Sequence, residues 1–173
     1  MLDRLAVPVA VHTPAGPLTI RRARPDDVRT IMTLLADDAV GARRGDVIDP
    51  QDEPIYAAAL QRVLADPGND LVIAEREGQV IGTLQLTLIP GMSRLGSDRV
   101  IVEAVRVASS ERSAGIGAAL LRWVMHDAAV QLGAGLVQLT SDAARTDARR
   151  FYLRLGFVDS HVGFKYLLPA AAR

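Results

Sequence analysis

Apolar residues along this chain follow two kinds of spacing, one typical of β-strands and the other typical of α-helices. Five segments either alternate apolar with polar residues or form short runs rich in Val, Ile, Leu and Thr, which predicts β-strands. They span residues 18–24, 71–75, 80–89, 99–108 and 136–140. A final strand pair is predicted at 158–168, where Val162, Phe164, Tyr166 and Leu168 alternate with other residues. Glu77-Gly78 is a plausible hairpin turn between the second and third strands.

The remaining apolar residues recur at helical spacing. Pro25, Asp26 and Asp27 predict a helix start, since proline suits the first turn and acidic side chains suit its positive end. Further helices are predicted at 55–65, 114–132 and 145–155, with a polar loop at 41–54. The order β-α-α-β-β-β-α-β-α-β-β predicts an α/β fold in which a mixed sheet has helices on both faces.

The length of 173 residues and the 49% of hydrophobic residues are enough for one globular domain. We assign that domain to residues 18–168. Residues 1–17 contain three prolines and a glycine without a sustained period, which predicts a poorly ordered N-terminal extension. Residues 169–173 are assigned to a C-terminal tail.

Charge and composition narrow the classes of function. Lys plus Arg and Asp plus Glu each total 20, so the chain lacks the basic surplus that is typical of nucleic-acid-binding proteins. No apolar run is long enough to span a bilayer, and the first residues do not resemble a signal peptide. The chain has no cysteine and only three scattered histidines, so neither a disulfide framework nor a metal site is predicted. These features predict a cytoplasmic protein without nucleic-acid or membrane partners.

A glycine-rich turn lies between the fourth strand and the long helix. Its sequence is Arg112-Ser113-Ala114-Gly115-Ile116-Gly117, followed by Ala118. Unpaired amides at a helix start converge on one point and favour an anion such as a pyrophosphate. Two glycines at such a position also occur where a turn is only tightly packed. The turn alone leaves these alternatives open.

Tyr152 lies on the apolar side of the last helix, with Ala148, Phe151 and Leu155 at helical spacing. Gly156 follows as a candidate left-handed cap. The tyrosine is either a core residue with a bonded hydroxyl or an acid that protonates a departing thiolate. Its spacing does not decide between the two.

In this order and spacing, these segments resemble the GNAT superfamily of acyl-CoA-dependent N-acyltransferases. The resemblance covers about residues 18–168. It rests on Val105-Arg106-Val107, on the glycine-rich turn, and on the segment A-R-R-F-Y-L-R-L-G-F at 148–157. It implies a sheet whose fourth and fifth strands splay apart. It also implies acetyl-CoA as the acyl donor and direct attack by a small-molecule or peptide amine.

The resemblance also implies individual roles. The strand edge of Val105, Arg106 and Val107 would pair with pantetheine, and the turn residues Ser113, Ala114, Gly115, Ile116, Gly117 and Ala118 would hold the pyrophosphate, with Arg112 at the entrance. Tyr152 matches the tyrosine that protonates the coenzyme A thiolate. Arg145 stands where many members have an asparagine that helps to hold the pantetheine arm. The alternative role for Arg145 is contact with a coenzyme phosphate.

Glu103 is the candidate base for the amine proton. Regular strand alternation places it on the face of Ile101, Val105 and Val107, where burial would raise the pKa of a carboxyl. The alternative is a bulge at this position or an ion pair with Arg99.

Two further hypotheses follow. An acyl-CoA-binding regulatory module with little turnover is the alternative function, because Arg145 departs from the family pattern. A homodimer is also predicted, since proteins of this family often pair through C-terminal strands and residues 158–168 have suitable alternation.

Overall fold

We analysed a computed structural model, which describes residues 1–37 and 48–168. The chain divides into two compact units, Met1–Leu139 and Thr140–Arg173. Residues 41–47 of the predicted loop at 41–54, and the predicted tail at 169–173, lie outside the described residues.

Within its described residues, the first unit contains six strands and three helices. The strands are β1 (Val9–Thr13), β2 (Gly16–Arg22), β3 (Asn69–Arg76), β4 (Gln79–Ile89), β5 (Arg99–Val107) and β6 (Leu136–Leu139). The helices are α1 (Val28–Ala36), α2 (Glu53–Ala65) and α3, a continuous helix formed by Ile116–Trp123, a wider π-helical stretch Val124–Ala128, and Ala129–Leu132. Short 3-10 turns occur at Leu2–Arg4, Pro25–Asp27, Pro50–Asp52 and Ser109–Glu111, and a helical turn at Ser93–Gly96.

The strands form one mixed sheet in the order β1-β2-β3-β4-β5-β6. All neighbours are antiparallel except β5 and β6, which are parallel. Glu77 and Gly78 both have positive φ, so the β3–β4 connection is the tight hairpin that the sequence predicts. The α/β fold with helices on both faces of a mixed sheet is confirmed.

The two faces of the sheet have different compositions, as the strand register shows. One, which we call the apolar face, packs against α3; an added Cβ at Gly82 would contact both Ala74 and Leu120. Its members at the centre of the sheet are at most 1% exposed: Val72, Ala74, Leu84, Leu86, Val100 and Val102. The other, which we call the mixed face, carries Leu71 and Ile73, which pack with α1 and α2. Gln85, Thr87, Ile101 and Glu103 continue this face.

Residues 1–17 differ from the predicted poorly ordered extension. Leu2 and Leu5 are buried, and β1 pairs with β2 along its whole length. The peptide bond before Pro8 is cis. Pro8 precedes β1, Pro14 lies between β1 and β2, and Pro17 is the second residue of β2. Strand β1 was missed because its edge position buries few of its side chains.

Charged residues bridge β2, β3 and the start of α1. The Arg21 guanidinium donates to both carboxylate oxygens of Asp27, at 2.8 and 2.9 Å, and to Glu75 at 2.6 Å. Hydrogen bonding from Arg21 holds the pKa of the Asp27 carboxyl below its usual value. Asp70, which pairs with Arg22 at 2.7 Å on the other face, is more deeply enclosed, and burial raises its pKa. These pairs fix the chain where it leaves β2.

The second unit contains helix α4 (Thr146–Arg154). The predicted apolar stripe is present, but Ala148, Phe151, Tyr152 and Leu155 are half-buried within this structure, not fully buried. Gly156 has a φ of +94°, which confirms the left-handed cap.

The predicted strand pair at 158–168 is not formed. These residues have no regular secondary structure, and the side chains of Val162, Phe164 and Tyr166 are 80–93% exposed. Alternation alone does not make a strand, because a strand also needs a neighbouring backbone to pair with. In the part of the chain that the structure describes, no helix has the length and apolar character needed to cross a bilayer.

Candidate active site

Strand pairing changes abruptly in the middle of β5. The parallel ladder with β6 runs from Arg99–Leu136 to Val102–Leu139, and β5 then continues to Val107. Beyond Val102, the two strands no longer pair. β6 ends at Leu139, so residues 103–107 of β5 have no ladder partner on that side among the described strands, and we call this unpaired edge the strand opening. It lies where the fourth and fifth predicted strands, which are β5 and β6 here, were expected to splay apart, and the splay itself stays a prediction.

A β-bulge lies just beyond the last of these pairs. Gln85 pairs with Glu103, and the next pair is Thr83 with Arg106. One residue on β4 therefore opposes two on β5, Ala104 and Val105, and Ala104 has a φ of +51°. Bulges of this kind re-aim side chains and occur often beside active sites.

Because of the bulge, the residues at the end of β5 lie on different faces of the sheet from those predicted. Arg106 follows Glu103 on the mixed face, whereas Val107, opposite Gly82, lies on the apolar face. Regular alternation had placed Val105 and Val107 with Glu103, and the extra residue breaks it. Glu103 is also exposed rather than buried, and it makes no ion pair with Arg99 or with any other described residue.

The glycine-rich turn has the backbone of an anion site. Ser113 and Gly115 both have positive φ, of 66° and 81°, and Gly115 is the N-cap of α3. The first helical hydrogen bond runs from Ala119 N–H to the Gly115 carbonyl at 2.9 Å. The N–H groups of Ile116, Gly117 and Ala118 find no acceptor among the described residues. A pyrophosphate fits these unpaired donors and the positive end of the helix.

Arg112 is engaged by the C-terminal end of α1. Asp37 accepts a hydrogen bond from the Ser109 N–H at 2.6 Å, and its carboxylate lies 3.5 Å from the Arg112 guanidinium. Arg112 also donates to the Asp37 carbonyl and, at 3.4 Å, to that of Val107. In this structure Arg112 therefore ties the entrance of the turn to α1 and β5.

Two further contacts hold the turn. The Arg76 guanidinium donates to Glu111 at 2.9 Å, directly before Arg112 in sequence. Pro14, in the β1–β2 connection, lies against Gly115, where an added Cβ would come within 2.7 Å of the proline Cδ. Gly115 is thus required both by its positive φ and by Pro14. Sequence reasoning missed Pro14, Asp37 and Arg76, since each is distant in sequence from the turn.

Tyr152 and Arg145 belong to the second unit. The Tyr152 ring makes an edge-to-face contact with Phe157, with centroids 5.9 Å apart, and a tilted one with Phe151 at 5.3 Å. Arg145 is the N-cap of α4, and its N–H donates to the Asp142 carbonyl at 2.9 Å. The structure thus brings Glu103, the β5 edge and the turn together in one unit, while the tyrosine lies in the other.

Among the described residues, no group of three or more His, Asp or Glu side chains is arranged to hold a metal ion. The first unit offers backbone amides, arginines and a carboxylate beside the strand opening.

Comparison with known proteins agrees with this geometry. Residues 29–157 match the model of the acetyltransferase (GNAT) family, which covers the opening, the bulge, the turn and α4. The chain belongs to this family. The resemblance drawn from the sequence motifs is confirmed.

Individual relatives add detail. The chain is 37% identical over 101 residues to the aminoalkylphosphonate N-acetyltransferase of Salmonella typhimurium, a match that covers 58% of this chain and 64% of that enzyme. A crystal structure of a Bacillus halodurans protein described as a transcriptional regulator is 36% identical, with a TM-score of 0.82 over 87% of this chain and 99% of that one. Glucosamine-6-phosphate N-acetyltransferase from Arabidopsis thaliana shares the fold, with a TM-score of 0.70 at 16% identity over 88% of this chain and 99% of that one.

Proposed function

We propose that this protein transfers the acetyl group of acetyl-CoA to a primary amine by direct attack in a ternary complex. The observation that carries the proposal is the glycine-rich turn, whose helix-start amides lack acceptors and lie next to an opened strand edge. Ser113 to Ala118 would hold the pyrophosphate, and the edge formed by Val105, Arg106 and Val107 would pair with pantetheine. Acetyl-CoA supplies the activated acyl group.

The chain's own residues would move the protons. The neutral amine forms a bond to the carbonyl carbon as the carbon–sulfur bond breaks. Glu103 receives the amine proton, directly or through water, and Tyr152 gives its phenolic proton to the leaving thiolate and is reprotonated from solvent. Arg112, whose guanidinium is paired with Asp37, would position the turn, and Arg145 is proposed as a contact for a coenzyme phosphate.

The charges of the mixed face favour a small amine that also carries an anionic group. Glu103 offers a carboxylate, and Arg99 places a guanidinium on the same face of β5. The buried Nε of Arg99 has no hydrogen-bond partner among the described residues. The similarity to an aminoalkylphosphonate N-acetyltransferase supports the same class of acceptor.

The decisive experiment measures thiol release from acetyl-CoA with a panel of amines, including 2-aminoethylphosphonate and propylamine. We expect faster turnover with the phosphonate, because propylamine lacks the anionic group. Calorimetry with acetyl-CoA tests the turn. Gly117→Glu should abolish binding, since a carboxylate repels the pyrophosphate, and Val130→Glu, at an exposed position near the end of α3, is the control that adds the same charge away from the turn. Unchanged affinity in folded Gly117→Glu protein contradicts the proposed site.

A second candidate is an acyl-CoA-binding regulatory module with little turnover. The observation in its favour is the similarity to a protein described as a transcriptional regulator, together with Arg145 at the usual asparagine position. This candidate predicts acetyl-CoA binding without thiol release for any amine. The same two measurements therefore separate the candidates.

We also propose a homodimer formed through residues 158–168. Their alternating apolar side chains are exposed, and their backbone has no ladder partner among the described residues. A second copy can supply both a surface that covers these side chains and a strand that pairs with this backbone. Light scattering over a wide concentration range tests this, and a constant mass near 18.5 kDa would reject it.

A further inference from the structure

A polar cluster interrupts the mixed face between β3 and β5. It consists of Asn69, Gln85, Thr87 and Glu103. The register places Asn69 opposite Thr87 and Gln85 opposite Glu103, so all four side chains emerge on one side of the sheet. On the other side, Leu84, Leu86 and Val102 of these strands are apolar and buried, and Asp70 is charged but paired with Arg22 at 2.7 Å. Side chains that could have been apolar without loss of packing are polar here, which calls for a functional explanation.

The cluster fixes the orientation of Gln85. Thr87 Oγ1 donates to Asn69 Oδ1 at 2.6 Å, and Gln85 Nε2 donates to the same oxygen at 3.3 Å. Because its nitrogen is committed to Asn69 on β3, the Gln85 amide leaves its Oε1 as an acceptor. Within the described residues, this oxygen receives no hydrogen bond.

The facing residue on β5 is the exposed carboxylate of Glu103. Directly opposed side chains in an antiparallel pair have Cβ atoms about 5 Å apart. A carbonyl oxygen and a carboxylate on side chains so placed, neither of which receives a hydrogen bond from a described residue, form an acceptor pair for an ammonium group.

The position of the pair also points to the reaction. Gln85–Glu103 is the last regular pair before the bulge at Ala104, and it lies one residue beyond the end of the β5–β6 ladder at Val102. The polar cluster, the bulge and the strand opening therefore coincide, although each is a separate feature of the sheet.

We propose that Gln85 is a specificity-determining residue that binds the ammonium form of the acceptor together with Glu103, and that Asn69 and Thr87 position its amide. The inference rests on the proposed acetyl transfer and adds to it the preference for a cationic amine. Gln85 binds the amine in its ammonium form. Glu103 passes that first proton to solvent before attack and, once more a carboxylate, receives the second N–H proton as the carbon–nitrogen bond forms. The loss of Gln85 therefore weakens acceptor binding rather than catalysis.

The experiment compares Gln85→Leu with wild type for two acceptors at about pH 8. One is 2-aminoethylphosphonate, whose amine is cationic, and the other is hydroxylamine, which is uncharged at that pH. We expect Gln85→Leu to raise the KM for 2-aminoethylphosphonate about tenfold, the usual effect of losing one hydrogen bond to a charged group, with little change in kcat. The KM for hydroxylamine should stay constant.

Two variants complete the design. Gln85→Glu keeps an oxygen acceptor at this position and should retain the wild-type KM for the cationic amine or lower it. Gln79→Leu, at the exposed far end of β4, is the matched control and should leave both KM values unchanged.

The outcomes separate the inference from the proposed function. Turnover of both acceptors with an unaltered KM for 2-aminoethylphosphonate in Gln85→Leu overturns the role of Gln85 alone. Equal increases in both KM values assign Gln85 to packing and also overturn it. If wild-type protein releases no thiol with either acceptor, the proposed transfer fails, and the inference fails with it.

Discussion

The two faces of the central sheet are built from the same strands and differ in almost every other respect. Along β4, Leu84 and Leu86 are buried on the apolar face, whereas Gln85 and Thr87, between and beside them, emerge on the mixed face. Burial of apolar area is the main favourable term in folding, so the apolar face supplies stability. The mixed face gives up part of that burial and gains hydrogen-bonding groups. The groups that we propose for acceptor binding therefore lie on the mixed face, opposite the buried leucines of β4.

The largest expected effect concerns a residue outside the sheet. If the mixed face only binds and deprotonates the amine, protonation of the thiolate depends on Tyr152. Tyr152→Phe should lower kcat by about 10²–10⁴-fold and leave acetyl-CoA affinity unchanged, because the ring remains and only the acidic proton is lost. Thiol-release kinetics and calorimetry measure both quantities. Tyr166→Phe, at an exposed tyrosine, is the control. Full turnover by folded Tyr152→Phe would assign Tyr152 to packing.

Substitution of adjacent residues on β4 tests whether the apolar face contributes more to stability than the mixed face does. Leu86→Ala should lower the free energy of unfolding by about 2–5 kcal/mol, because a fully buried side chain leaves a cavity. Below its melting temperature, the variant should keep the wild-type KM for the acceptor. Gln85→Ala should cost less than about 1.5 kcal/mol of stability, since only one hydrogen bond to a half-buried partner is lost. Urea unfolding measures the free energy of unfolding of both variants. Equal losses of stability would contradict the expected difference between the two faces.

The mixed face also carries an ion pair that we expect to stabilise the folded chain. Arg21 lies opposite Ile73 and therefore on this face, where it pairs with Asp27. Asp27→Asn should cost about 3 kcal/mol at neutral pH, because it breaks an enclosed pair. The pKa of the Asp27 carboxyl is lowered in the folded state, so the stabilisation is present above the unfolded pKa near 3.8 and is lost as the pH falls through the folded value.

Urea unfolding between about pH 7 and pH 3 should therefore show the difference between wild type and Asp27→Asn narrowing below about pH 4. Asp26→Asn, at the exposed neighbour, should match wild type throughout. A difference that stays constant down to about pH 2 would argue against an ionic origin.

The smallest effect is expected at Asp37, which supports the glycine-rich turn. Asp37→Ala removes the acceptor for Ser109 N–H and the partner of Arg112, which should loosen the turn and weaken acetyl-CoA binding about tenfold. The acceptor KM should not change, because Asp37 does not belong to the polar cluster. Calorimetry with acetyl-CoA and steady-state kinetics test this, with Asp127→Asn on α3 as the control. A change in the acceptor KM with unchanged acetyl-CoA affinity would contradict the role of Asp37 at the turn and indicate a role at the acceptor site.

The sequence alone determined the elements that depend on local pattern. Most helices and strands of the first unit were predicted to within a few residues, because periodic apolar side chains must face a core. The hairpin at Glu77-Gly78, the turn at Gly115 and the cap at Gly156 were predicted for a similar reason, since few residues adopt positive φ without strain. The order of these motifs was sufficient to identify the family.

Only the tertiary structure decided what depends on pairing between strands. The register places the bulge at Ala104 and so separates Glu103 from Val105 and Val107, which no periodicity within β5 can reveal. Strand β1 forms because β2 offers it an edge, and residues 158–168 form no strand because their pattern lacks a partner. Contacts such as Asp37 with Ser109, or Gln85 beside Glu103, join residues far apart in sequence, and their meeting is a property of the folded chain.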